Sequence, residues 1–126
     1  MDFTEMFKSQ DGKLRIIQEL VPGKQITLAH VIANPDPVLY RKLGLDPSVD
    51  YSASAIGIVT VSPAETAIIL GDISIKSSGV ELGFVDRFSG TLIVTGTVSQ
   101  VEAALRALID YAQNVLRFTC VDITKT

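Results

Sequence analysis

The sequence predicts an α+β domain, a sheet layered with helices on one face, in which a β-β-α segment is followed by β-α-β-β-α-β. Three observations lead there. The run Ala55–Val61 (AIGIVTV) is continuously apolar, as a central strand requires. Two quartets, Ser62-Pro63-Ala64-Glu65 and Ser99-Gln100-Val101-Glu102, have the capping-box pattern and each opens a longer stretch with helical features. Two strand-like runs meet at Phe88-Ser89-Gly90, a hairpin signal.

Taken in order, Leu14–Leu20 (LRIIQEL) alternates like a strand, and Val21-Pro22-Gly23-Lys24 reads as a turn. Ile26–Ala33 is a second strand, with Ile26, Leu28, His30 and Ile32 expected on one face. Pro37–Leu43 is expected as a short helix ended by Gly44, followed by a polar connection, Leu45–Ser54. After the central strand, Pro63 suits a first helical position and Gly79 ends that helix. Glu65, Asp72 and Lys76 share one of its faces, and most of its remaining surface is apolar. Val80–Arg87 and Thr91–Thr95 form the hairpin strands. In the last helix Val101, Ala104, Leu105, Leu108, Ala112, Val115 and Leu116 follow helical spacing, and Glu102 and Arg106 are placed to pair on the outer face. Phe118–Thr124 is the closing strand. No internal repeat, low-complexity tract or second domain interrupts this order.

Composition narrows the function. The balance of 11 Lys and Arg against 14 Asp and Glu, net charge −3, argues against a nucleic-acid surface. Met1–Lys13 lacks the apolar stretch of a signal peptide, and no apolar run is long enough for a membrane span. Cys120 is the single cysteine, which excludes an internal disulfide and an all-cysteine metal site, so a cytosolic compartment is expected. A hydrophobic fraction of 47% and a mean hydropathy of +0.35 exceed what a small monomer can hide. Burial between subunits is the economical explanation.

The usual carriers of chemistry are sparse. His30, the one histidine, reads either as a base or ligand, or as a packed, hydrogen-bonded residue at a subunit seam; no partner constellation accompanies it. Cys120 lies in an apolar run, where thiols act as small hydrophobes. Gly23-Lys24 lacks the glycine spacing and following hydroxyl of a phosphate loop. Asp86-Arg87 fits an acid–base pair, part of a pore, or a salt-bridged hairpin shoulder. Glu5, Asp11, Glu19 and the other carboxylates show no metal spacing.

Three segments carry a resemblance: VPGKQITLAHVIANP (Val21–Pro35), AIGIVTVSPAETAIILGDISIKSSG (Ala55–Gly79) and VELGFVDRFSG (Val80–Gly90). Together they resemble the circularly permuted, single-domain bacterial microcompartment shell proteins, in particular the S subunit of ethanolamine-utilisation compartments and the U subunit of propanediol-utilisation compartments. The likeness runs from about Leu14 to Thr126 and includes RFTCVDITKT; Met1–Lys13 lies outside it and is expected to be a flexible extension.

The resemblance implies a permuted ferredoxin-like domain, with the terminal strand and helix of ordinary shell domains moved to the front as Ile26–Leu43. It implies a homohexamer that tiles with other shell proteins around enzymes of an ethanolamine, propanediol or choline pathway, in a shell within the cytoplasm. It implies no catalysis, cofactor, metal, membrane or nucleic acid. By position Lys76 looks like the hexamer-edge lysine, and Phe88, Ser89 and Gly90 look like the loop near the six-fold axis. Leu14–Leu20 looks like the added strand that, six times over, forms an axial β-barrel. Alternation puts Leu14, Ile16, Gln18 and Leu20 on one face, expected to fill the bore and plug the pore. The chain departs from the family pattern at Asn34-Pro35, where unpermuted shell domains place an arginine, and in the longer connection Leu45–Ser54. Two other readings compete: an oligomeric regulatory module that binds a small molecule between subunits, and an enzyme whose site spans subunits.

Overall fold

The computed structural model describes residues 23–51 and 54–126. The expected strand Leu14–Leu20, with its barrel residues, and the extension Met1–Lys13 therefore lie outside the described residues. Within them the elements are β1 (Gln25–Ile32), α1 (Pro37–Lys42), β2 (Ala55–Ser62), α2 (Thr66–Ser77), β3 (Glu81–Asp86), β4 (Thr91–Gly96), α3 (Val98–Asn114), β5 (Thr119–Cys120) and β6 (Thr124–Lys125). The strands form one sheet in the order β3-β4-β2-β1-β5, with β6 also paired to β1. β1 runs antiparallel to β2, β2 to β4, and β3 to β4, whereas β5 and β6 run parallel to β1.

α2 and α3 pack on one face. Val31, Ala55, Val59, Leu92 and Val94 meet Leu70 of α2 and Val101, Leu105 and Leu108 of α3, all fully buried. Side chains of this size each contribute about 1.5–3 kcal/mol when removed from water. α3 approaches β2 so closely that a Cβ at Gly57 would stand 2.7 Å from Val101 and 2.9 Å from Leu105.

The expectation of helices on one face only is corrected. α1 and the 45–51 connection cover the opposite face, where Tyr40 and Leu45 close over Ile56 and Ile93. Tyr40 stacks on Tyr51 with ring centroids 4.4 Å apart and its hydroxyl donates to the Ser54 carbonyl at 3.1 Å. The connection is thus anchored by aromatic and aliphatic side chains rather than being simply polar.

Several boundaries move for identifiable reasons. Ser62 does not cap α2, because it is still paired with Gln25 in the sheet. The helix begins at Thr66, and the amides of Thr66, Ala67 and Ile68 donate to carbonyls three residues back. The capping box of α3 sits two residues earlier than expected: Thr97 accepts from the Gln100 amide at 3.2 Å, and Gln100 accepts from the Thr97 amide at 2.9 Å. Val115 and Leu116 fall beyond α3, and Val115 is exposed. Glu102 reaches Lys125 at 3.0 Å instead of Arg106. The single closing strand is two short bridges, β5 and β6, flanking a stretch that leaves the ladder.

A bulge between Ile26 and Leu28 changes the phase of β1. Ile26, Ala29 and Val31 face α2 and α3, while Leu28, His30 and Ile32 face away, so Ile26 does not share a face with His30.

Candidate assembly surfaces

α2 is helical in spacing but apolar nearly all round. Ala67, Leu70, Gly71 and Ser74 turn inward, and the Ser74 hydroxyl donates to the Leu70 carbonyl at 2.8 Å. Outward stand Ile68, Ile69 and Ile75, respectively 52%, 46% and 46% exposed. Between them Lys76 pairs with Asp72 at 2.8 Å, four residues earlier. Asp72 raises the Lys76 ammonium above its usual 10.5, first by hydrogen bonding and then by charge. Both side chains are largely exposed, so the pair adds little to folding. Glu65 is the N-cap residue, one position before the helix, and its side chain makes no capping hydrogen bond.

The hairpin tip is built by backbone chemistry. The Asp86 carboxylate accepts the Phe88 amide at 2.9 Å, and the Gly90 amide donates to the Asp86 carbonyl at 2.9 Å. Gly90 has φ +77°, and its carbonyl accepts the Val61 amide, locking the tip to the end of β2. The Ser89 hydroxyl donates to Thr91 at 3.1 Å. Phe88 is left 81% exposed, with the Arg87 guanidinium 5.0 Å from its ring centre. Of the three readings offered for Asp86-Arg87, the salt-bridged shoulder gives way to a carboxylate-capped turn with a cation over an aromatic ring. Amide and hydroxyl donors, that of Phe88 foremost, hold the Asp86 carboxyl below its usual 3.8.

His30 is held by two hydroxyls. Its Nδ1 lies 2.6 Å from Thr124 Oγ1 and its Nε2 2.8 Å from Thr126 Oγ1. Both ring nitrogens thus have partners in the C-terminal segment of the same chain, which is the hydrogen bonding, though not the subunit seam, of the second sequence reading. Cys120 is half-buried in β5, and burial pushes its thiol above 9.0. No group of three or more His, Cys, Asp or Glu side chains placed to hold a metal occurs among the described residues. No described helix is long and apolar enough to cross a membrane.

The sequence reading missed the Arg87–Phe88 stacking and the clasp on His30. The first is visible only in a neighbouring aromatic, the second depends on a segment 94 residues away. Lys76 and the Phe88 tip lie on separate parts of the domain, one late in α2 and one between β3 and β4.

These features define a class of protein with conspicuous exposed apolar surface, on a helix face around an ion pair and at an aromatic loop. The comparisons give that class a family. The model of the BMC domain matches residues 55–124. The microcompartment shell protein PduU of Salmonella typhimurium is 52% identical over 112 residues, covering 89% of this chain and 93% of that relative. The shell protein EutS of the same organism is 49% identical, covering 91% and 99%. Among solved structures, a flat hexamer of CutR matches with a TM-score of 0.76 at 46% identity, over 89% of this chain and 99% of that one. The chain belongs to the BMC-domain family of bacterial microcompartment shell proteins, which are structural proteins and not enzymes.

Proposed function

We propose that this chain is a structural tile that assembles as a cyclic hexamer and joins other shell proteins around a pathway of the ethanolamine, propanediol or choline type. The outer face of α2 carries the proposal. Three exposed isoleucines around one lysine make a poor solvent-facing surface and a good contact, since large exposed apolar patches mark interaction sites. The likeness to a chain solved as a flat hexamer supports the same assembly. Lys76 is the hexamer-edge anchor: its position in the last turn favours a cation, and its long stem can lie along a neighbouring tile while the ammonium donates to carbonyls there. Phe88, Ser89 and Gly90 form the loop near the six-fold axis.

The domain reads as circularly permuted. Counting β1 after α3 turns β2-α2-β3-β4-α3-β1 into the β-α-β-β-α-β unit of a ferredoxin-like domain, and the observed strand pairing supports this order. Residues 14–126 are the shell domain and 1–13 its extension. Six copies of Leu14–Leu20 close into an axial barrel, with Leu14, Ile16, Gln18 and Leu20 filling the bore.

Light scattering coupled to size exclusion tests the assembly, with a mass expected near six times the 13.6 kDa chain. A stable monomer at micromolar concentration overturns it. In electron micrographs of concentrated protein the parent forms sheets, whereas Lys76→Ala keeps the hexamer and forms them poorly. Sheets as extensive as the parent's would remove Lys76 from the edge.

A further inference from the structure

Proline, tyrosine and carboxylate side chains surround a cleft that the tile function leaves unused. It lies between α1 and the 45–51 connection, has a volume of about 680 Å³, and is walled by Pro37, Tyr40, Pro47 and Tyr51 with Arg41 and Asp46 beside them. That volume falls within the roughly 300–1,000 Å³ of small-molecule sites. The floor is preorganised. Tyr40 is buried, hydrogen-bonded and stacked at 7° to Tyr51, so Tyr51 is the outer, half-buried ring of a fixed pair.

The electrostatics select a sign. The Asp46 carboxylate is oriented by the Ser48 amide at 2.9 Å and its hydroxyl at 2.8 Å, which hold the carboxyl below the usual 3.8 and keep it ionised at neutral pH. The Tyr51 phenol is pushed above 10.0 first by burial and then by the charges of Asp46 and Glu81, which marks a negative field at the ring. Arg41 is the single cation among the described lining residues. An electron-rich ring face beside a fixed carboxylate is the arrangement that attracts an organic cation.

We propose that this cleft binds a small organic cation of the alkylammonium class, its charged head against Tyr51 and Asp46 and its apolar part against the prolines. The site lies on the side of the sheet opposite α2 and α3, and the proposal does not depend on the assembly reading.

Calorimetric titration of the intact, assembled chain with tetramethylammonium tests it, against tert-butanol as a neutral molecule of similar size. The expected result is saturable binding of the cation only. Tyr51→Leu weakens it about tenfold, Tyr51→Phe preserves it, and Asp46→Asn, which retains the Ser48 turn, weakens it severalfold. Circular dichroism and assembly mass verify that each variant folds; if Tyr51→Leu does not fold, Asp46→Asn and Tyr51→Phe decide. Failure to saturate by about 50 mM, where an affinity is worth very little, overturns the proposal. So does equal binding of both probes, or unchanged binding in Asp46→Asn.

Discussion

Gly90 carries the hairpin tip on a backbone that other residues rarely adopt. Its φ of +77° is left-handed, and an added Cβ would collide with the Val61 carbonyl oxygen. Gly90→Ala must therefore distort the tip or break its bond to β2, a cost of about 2 kcal/mol or more. Urea unfolding should show a lower midpoint at an unchanged slope. Four residues earlier, Asp86 makes the same tip sensitive to acid. Its carboxyl is depressed by the Phe88 amide first, so the contribution of this contact is present above the ordinary value of 3.8 and is lost as pH falls through the lowered value. The Phe88 amide should stay protected from hydrogen exchange at pH 5 and lose that protection in stronger acid, whereas in Asp86→Ala it is unprotected at both. Glycine, aspartate and a hairpin pattern were all legible in the sequence. The cation over Phe88 was not, because a dipeptide does not reveal which of its own neighbours a guanidinium will cover.

At the level of elements, the C-terminal segment is stapled to β1 from both faces. His30 takes Thr124 and Thr126 on the face away from the helices, and Lys125 reaches Glu102 of α3 on the other. Backbone bonds from Thr119 to Lys24 and from Thr126 to Val31 complete the ladder. His30→Ala removes two side-chain hydrogen bonds and should cost about 1–2 kcal/mol. Hydrogen exchange at Ala33 and Thr126 should accelerate more than at the centre of β2; uniform acceleration would mean the clasp is not local. The helices show how far patterning carries. The inward stripe Val101, Ala104, Leu105, Leu108 and Ala112 was readable from spacing alone and is wholly buried. The cap was misplaced because Thr97–Gln100 and Ser99–Glu102 both satisfy the capping pattern, and the helix takes the earlier of the two. The phase of β1 was misread because a bulge at Thr27 leaves no mark in the order of apolar residues. The second packing layer escaped notice because Tyr40, Leu45 and Tyr51 follow no period.

For the whole molecule, the separation of core and contact surface yields a test of the axial proposal. Among the described residues the core begins at Ile26. Deleting Met1–Leu20 should therefore preserve the fold and the hexamer mass while making Phe88 accessible to a soluble quencher or protease at the axis. Loss of the hexamer in that variant would overturn the proposed axial role of residues 14–20 in favour of one at the subunit interface. The excess apolar content seen in composition is accounted for in part by α2, whose outward isoleucines are as conspicuous in the structure as the hydropathy suggested. The clasp on β1 has a consequence for biosynthesis. His30 waits for partners 94 residues further along, so during translation β1 can pair with β2 while its other edge stays open. An open strand edge is a template for another nascent chain. On a ribosome-bound chain arrested at Arg117, that edge should capture a neighbouring chain or a chaperone, and the emergence of Thr119–Lys125 should end the vulnerable interval. Contacts of such long sequence separation tend to form late, so docking of this segment is expected among the last steps of folding.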